Sequence, residues 1–166
     1  MRVYPVQNQK GMEHAMRFET KFFDDLTARE LYEILRARAD VFVGEEKILY
    51  PDADGVDYDC LHIFSRDEAG TVTAYLRMFP KQEEPGTVQI GRVLTRRRGG
   101  GLGRRLMEAA LRAATETFHA GGVYVESQKH AEGFYEKLGF RAVSADFIEA
   151  GIPHVKMRRE LGGEKG

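Results

Sequence analysis

The sequence of 166 residues lacks several features on which whole classes of protein depend. It has a single cysteine, Cys60, so an internal disulfide is excluded, and a reducing, cytoplasmic location is expected. It has no apolar run of membrane-spanning length and no signal-peptide core, so we expect no membrane association. Its 25 basic and 26 acidic residues nearly cancel, to a net charge of −1, which gives no reason to expect nucleic acid as a partner.

The length suits one domain with a sizeable core. We expect an irregular N-terminal extension over residues 1–14, the domain over residues 15–161 and a charged tail over residues 162–166. No metal site is predicted, because the histidines show no ligand spacing with Cys60 or with one another. The segment Asp52-x-Asp54-Gly55 resembles a calcium loop only superficially. Its glycine comes too early, and Ile63 occupies the place of the closing glutamate.

The apolar periodicity predicts an α+β protein with a sheet of mixed direction. The predicted strands are residues 16–23, 60–66, 71–79, 87–95, 123–127, 140–147 and 153–160. The predicted helices are residues 28–42, 102–118 and 130–138, and a capping box, Thr27-x-x-Glu30, precedes the first. Turn-rich joins favour an antiparallel meander for the second to fourth strands.

Two charged features of the N-terminal half leave alternatives open. Arg38 falls on the buried stripe of the first helix, where a charge needs a partner or a task. It either pairs with a buried carboxylate or capping carbonyls, or it acts at a site. The acidic segment over residues 44–59 is either a solvated loop or a mouth that attracts cationic substrates. On the functional alternatives, Arg38, Glu45 and Glu46 are candidate substrate-binding residues.

A glycine-rich turn lies between the fourth predicted strand and the second long helix. It has the form Arg98-x-x-Gly101-x-Gly103, and an arginine, Arg104, follows it. A helix N-terminus that follows glycines can bind an anion, because its first N–H groups lack intrahelical partners. No lysine follows the glycines, which excludes a P-loop, and the third glycine of a dinucleotide fingerprint is missing. The alternative is an ordinary glycine-rich surface loop.

This turn resembles the acetyl-CoA pyrophosphate loop of the GNAT N-acetyltransferase superfamily. One strand and one helix further on, Ala131-x-x-Phe134-Tyr135-x-x-x-Gly139-Phe140 resembles another motif of that superfamily. Shorter segments at residues 38–45, 50–55, 90–93 and 151–154 resemble its ElaA-like branch. The resemblance covers about residues 16–160. Only five residues separate Arg92 from Arg98, which is a shorter turn than relatives commonly have.

The resemblance implies a mixed, mostly antiparallel twisted sheet, flanked by helices and splayed between its fourth and fifth strands. The pantetheine arm of the cofactor would enter the splay and pair with strand amides. The residues that the resemblance assigns to the cofactor are Val93, Thr95, Arg98, Gly99, Gly100, Gly101, Leu102, Gly103, Arg104, Phe134 and Tyr135.

Acetyl transfer to an amine needs a base for the ammonium proton and an acid for the departing thiolate. Glu126 and His154 are candidate bases, with Glu45 and Glu46 as further ones. Tyr135 matches the family position of the acid. Tyr135 could instead be a core tyrosine, and His154 a buried structural histidine.

The function implied is acetyl-CoA-dependent N-acetylation of a primary amine on a small molecule or peptide, by direct transfer in a ternary complex. The expected assembly is a monomer or homodimer. A second hypothesis is an acyl-CoA-binding sensor without turnover. A third, suggested by the segment around Arg38, is a protein similar to the acyl-homoserine lactone synthases.

Overall fold

The computed structural model describes residues 17–162. The predicted extension over residues 1–14 lies outside the described residues, as do residues 163–166 of the predicted tail. No helix between residues 17 and 162 has the length and apolar character needed to cross a bilayer.

Within residues 17–162, eight strands form one sheet with the order β1-β2-β3-β4-β5-β8-β6, and β7 pairs with β8 beside this path. The strands are β1 (Phe18–Phe22), β2 (Leu61–Arg66), β3 (Val72–Pro80), β4 (Thr87–Thr95), β5 (Gly122–Gln128), β6 (Arg141–Ala142), β7 (Phe147–Glu149) and β8 (Ile152–Glu160). All pairings are antiparallel except that between β4 and β5. The predicted α+β class and mixed sheet are confirmed.

Helices cover both faces of the sheet. They are α1 (Ala28–Arg38), which continues as a π-helix (Ala39–Glu45), α2 (Leu102–Glu116) and α3 (Glu132–Lys137). The predicted capping box is present, since Thr27 accepts the N–H of Glu30 and the Glu30 carboxylate accepts the N–H of Thr27. One buried cluster joins α1 to β2, β3 and β4, and a larger one joins α2 to the opposite face.

The predicted strand over residues 140–147 is two short strands, β6 and β7. Ala142 pairs with Met157, whereas Phe147 pairs with His154, so the register shifts between them. The Ser144 hydroxyl accepts the N–H of Lys156 at 2.9 Å. A side chain therefore replaces a main-chain acceptor at this point and interrupts the ladder.

The splay that the family resemblance implied between the fourth and fifth strands is also confirmed. β4 and β5 pair from Thr87 to Ile90, and the pairing does not continue beyond that residue. Just after it, Gly91 pairs with Arg77 and Leu94 with Tyr75, so two residues of β4 oppose one of β3. This β-bulge, with Arg92 at φ 54°, bends β4 away from its neighbour.

Candidate functional site

A cleft of about 840 Å³ opens where β4 and β5 diverge. Its floor is the end of each strand, and its walls come from the π-helix, the loop after it, α3 and the turn between β7 and β8. Beyond Ile90 the edge of β4 that faces β5 is unpaired. An extended ligand could therefore pair with main-chain groups of β4 as an added strand would.

The N-terminus of α2 has the features of an anion site. Gly99, Gly100 and Gly101 have φ values of 81°, 72° and 77°, which side-chain-bearing residues rarely adopt. No side chain of the described residues caps this helix, and its first turn holds no acidic residue. Arg104 instead places positive charge there, although the helix dipole disfavours it. α1 differs, because its N-terminus is capped by the side chains of Thr27 and Glu30.

The α2 N-terminus lies directly beside the cleft. A Cβ atom on Gly103 would lie 3.5 Å from Phe134 Cζ and 3.9 Å from Thr95 Cγ2, and both of those residues line the cleft. Of the residues predicted to bind the cofactor, Val93, Thr95, Phe134 and Tyr135 line the cleft. The remainder, residues 98–104, form the turn and the first helical residues next to it.

Tyr135 lies at the inner wall of the cleft and is 5 % exposed. Its ring meets Phe134 and Phe140 edge to face, at centroid distances of 5.2 and 5.5 Å. No side chain or main-chain group within residues 17–162 hydrogen-bonds to its hydroxyl. Burial raises the pKa of Tyr135 well above its usual range, so the phenol carries its proton at neutral pH.

Glu126 and His154 lie on adjacent strands that line the same cleft. Glu126 accepts a hydrogen bond from the Tyr124 hydroxyl at 2.9 Å, and burial together with this bond raises the pKa of Tyr124. His154 donates from Nδ1 to the carbonyl of Ile152 at 2.7 Å, since a carbonyl can only accept. Its Nε2 lies 3.9 Å from a carboxylate oxygen of Glu149.

Arg38, Glu45 and Glu46 do not line the cleft. Glu45 is exposed, whereas Glu46 accepts a hydrogen bond from the Gln128 side chain, which does line it. Arg38 is 0 % exposed and donates to both Asp52 and Asp57. Its place in the fold therefore fits the alternative of a buried ion pair.

Part of the acidic loop is held by ion pairs rather than freely solvated. Three of its aspartates are held by three arginines, which form what we call the arginine–aspartate cluster: Arg38, Arg77, Arg92, Asp52, Asp54 and Asp57. Charges in this cluster balance one to one. Sequence reasoning did not single out Arg77, although a charge inside an otherwise apolar strand signals a buried partner.

The cluster lowers the pKa of two of its carboxylates, Asp54 and Asp57. Hydrogen bonds from Arg77 hold the pKa of Asp54 well below its usual range. Burial opposes ionisation of Asp57, but hydrogen bonds from Arg38 and Arg77 outweigh it and lower the pKa of that carboxyl. Both aspartates are therefore charged at neutral pH, and the loop is tied to the sheet beside the cleft.

Residues 17–162 contain neither a metal site nor an activated cysteine. No group of histidine, cysteine and carboxylate side chains within residues 17–162 could hold a metal ion. Cys60 is buried and its thiol donates to the carbonyl of Val56. Burial raises the pKa of Cys60 to about 12, so it is not an activated nucleophile.

Comparison with known proteins shows which family the sequence of this chain matches. A family model described as an acetyltransferase (GNAT) domain matches residues 62–161. A UPF0039 protein of Schizosaccharomyces pombe is 40% identical over 149 residues, which are 88% of this chain and 98% of that protein. Protein ElaA of Escherichia coli is 36% identical over 143 residues, 82% of this chain and 92% of ElaA.

Two solved crystal structures are similar to the structure of this chain. The crystal structure of Escherichia coli ElaA has a TM-score of 0.80 at 32% identity, covering 87% of this chain and 99% of that one. The crystal structure of an acyl-CoA N-acyltransferase from Pseudomonas aeruginosa has a TM-score of 0.79 at 39% identity, covering 86% and 99%. The family match spans β2 to β8 and so includes both strands that form the cleft.

Proposed function

The chain belongs to the GNAT acetyltransferases, in their ElaA-like branch, and from that premise we propose that it transfers the acetyl group of acetyl-CoA to a primary amine of a small molecule or peptide. Transfer is direct, within a ternary complex of enzyme, cofactor and amine. The observation that carries the proposal is the uncapped, arginine-flanked N-terminus of α2 beside the unpaired edge of β4.

The α2 N-terminus and the unpaired edge of β4 bind different parts of the cofactor. The pyrophosphate binds the amides of residues 99–103 with Arg98 and Arg104 beside it, since free N–H groups and positive charge both favour phosphate. The pantetheine arm follows β4 and pairs with main-chain groups of Val93 and Thr95. The short turn after β4 is closed by three consecutive left-handed glycines, which brings both binding elements to the same end of the cleft.

The acceptor amine must first lose a proton. An alkylammonium group has a pKa of about 10.4, so at neutral pH most of it is protonated and cannot attack. Glu126 or His154, directly or through water, accepts this proton. The amine nitrogen then attacks the thioester carbonyl carbon, forms the C–N bond and releases a second proton to solvent.

The tetrahedral intermediate collapses by breaking the C–S bond. Tyr135 donates its phenolic proton to the departing thiolate, and solvent restores that proton afterwards. Support comes from a tyrosine that lines the cleft and whose hydroxyl keeps its proton at neutral pH and has no hydrogen-bond partner within residues 17–162. The net reaction yields an acetamide, free CoA and one proton.

A screen of amines with acetyl-CoA tests the proposal, with CoA release and the mass of the acetylated product measured together. We expect both signals for at least one amine, in equal amounts. Binding of acetyl-CoA without turnover of any amine would favour the sensor hypothesis. Turnover that requires S-adenosylmethionine as the acceptor and an acyl carrier protein would favour the lactone-synthase hypothesis.

A further inference from the structure

Several exposed apolar side chains line the cleft. In the described part of the chain the exposed large apolar residues are Phe22, Tyr32, Val43, Leu49, Tyr50, Tyr58, Val143 and Ile148. Three of them, Val43, Tyr50 and Ile148, line the cleft, and Leu49 is the chain neighbour of Tyr50. We call Val43, Tyr50 and Ile148 the apolar rim. They come from three separate segments, so no local sequence pattern accounts for their meeting.

Two carboxylates, Glu126 and Glu149, line the same cleft without a lysine or arginine partner within residues 17–162. Glu126 accepts a hydrogen bond from the Tyr124 hydroxyl, and a carboxylate oxygen of Glu149, next to Ile148 of the rim, lies 3.9 Å from His154 Nε2. Neither forms an ion pair with a lysine or arginine anywhere in residues 17–162. The arginines that line the cleft, Arg77 and Arg92, are matched by the aspartates of the cluster. The uncompensated charge of the cleft is therefore negative.

We propose that the acceptor is an amphipathic primary amine, whose ammonium group meets Glu126 and Glu149 while an aromatic or branched aliphatic body packs on the apolar rim. This rests on the proposed function and narrows its substrate class. An exposed apolar surface gains free energy when a ligand covers it, and the unpaired carboxylates attract a cation. A carboxylate on the acceptor is disfavoured, because it would enter a cleft whose free charges are already negative.

Matched pairs of amines separate these contributions. 2-Phenylethylamine and ethylamine differ by the ring, and 2-phenylethylamine and phenylalanine differ by the carboxylate. We expect kcat/KM for 2-phenylethylamine to exceed both others by about tenfold or more, which is the scale of burying one apolar group. Spermidine has several charges but no apolar body, so its kcat/KM should stay below that of 2-phenylethylamine.

Variants of the apolar rim provide a second, independent test of the proposal. Tyr50→Ser combined with Ile148→Ser should lower kcat/KM for 2-phenylethylamine about tenfold and leave that for ethylamine near its original value. Tyr32→Ser is the matched control, since Tyr32 and Tyr50 are both 67% exposed and Tyr32 lies outside the cleft. The control variant should leave kcat/KM unchanged for both amines. Thermal unfolding checks that all variants remain folded.

The outcomes separate this inference from the proposed function. Turnover of ethylamine or spermidine at least as efficient as that of 2-phenylethylamine would overturn the inference and leave the acetyltransferase intact. If no amine is turned over, calorimetry on the CoA-bound protein reads the preference directly. Tighter binding of 2-phenylethylamine than of ethylamine, lost in the rim variant, would support the inference, and equal binding would overturn it.

Discussion

Tyr135 is the residue at which a catalytic and a structural role differ most clearly in their consequences. Its ring packs between Phe134 and Phe140, while its hydroxyl has no partner within residues 17–162. Tyr135→Phe removes only that hydroxyl, so stability should change little. If the phenol protonates the thiolate, turnover should fall roughly 10²–10⁴-fold, the usual contribution of a general acid. Acetyl-CoA affinity should stay near its original value.

Rapid-mixing kinetics must show that chemistry rather than product release limits this rate. Tyr32→Phe, an exposed change outside the cleft, serves as the control. Near-normal chemistry in Tyr135→Phe would assign the tyrosine to the core alone and leave protonation to water or another donor.

Arg38 tests the arginine–aspartate cluster. Arg38→Met removes a fully buried guanidinium and leaves Asp57 with only Arg77. Breaking a buried ion pair from one side costs roughly 3–5 kcal/mol in free energy of unfolding. Arg36→Met, two residues earlier on the same helix, breaks only an exposed pair with Glu33 and should cost less than about 1 kcal/mol. Urea unfolding measures both, and similar losses would contradict a structural role for the cluster.

At the scale of elements, the α2 loop has a clear test. Gly101→Glu places bulk and negative charge where the pyrophosphate is proposed to bind, so acetyl-CoA binding should be lost. Gly70→Glu is the matched control: Gly70 has a φ of 86°, against 77° for Gly101, and neither would clash within 4 Å. Both variants carry the same left-handed strain, of about 1–2 kcal/mol, and only the loop variant should lose the cofactor in calorimetry. Unchanged affinity in Gly101→Glu would exclude this loop as the phosphate site.

The sequence predicts helices and strands well where the apolar periodicity agrees with the capping and turn residues at their ends. β4 has the bounds expected, and the Thr27–Glu30 capping box starts α1 as expected, because both signals are local. The interruption between β6 and β7 depends on where Ser144 meets β8, which no local pattern encodes. The last turns of the first helix are π-helical, which apolar spacing does not distinguish from α-helix.

The candidate site is less predictable than the fold, for a physical reason. Motifs mark the α2 loop and Tyr135 as candidates, because each motif consists of neighbouring residues. The arginine–aspartate cluster joins residues 14 to 40 positions apart, and sequence spacing does not specify which carboxylate an arginine meets. The buried Arg38 could thus be given two roles from sequence, and only the folded chain shows its partners.

For the molecule as a whole, the buried charges predict how stability depends on pH. Burial lowers the pKa of His62, whose Nε2 donates to the Asp57 carbonyl and whose Nδ1 accepts from Tyr75. A lowered histidine pKa means that the unfolded chain binds the proton more tightly. The free energy of unfolding should therefore fall as the pH drops below about 6.5, the histidine reference value.

A second decline should begin below about pH 4, near the reference pKa of aspartate. The lowered pKa values of Asp54 and Asp57 contribute stability above that pH, which is lost as the pH falls towards their folded values. Urea unfolding from pH 7 to pH 2 measures both declines. Asp54→Asn should make the second one shallower, and an unchanged slope would mean that the Arg77 pair contributes nothing to acid stability.

The central claim, that the chain transfers acetyl groups directly from acetyl-CoA to an amine, is tested most directly by following a labelled acetyl group. The protein is mixed with acetyl-CoA labelled in the acetyl carbon, with and without an accepted amine, and the label is quantified in cofactor, protein and amine. We expect the label to remain on CoA without amine, and to move to the amine in equal amount to the CoA released when it is present. Label that accumulates on the protein, or that never leaves bound acetyl-CoA whatever amine is supplied, would contradict the claim.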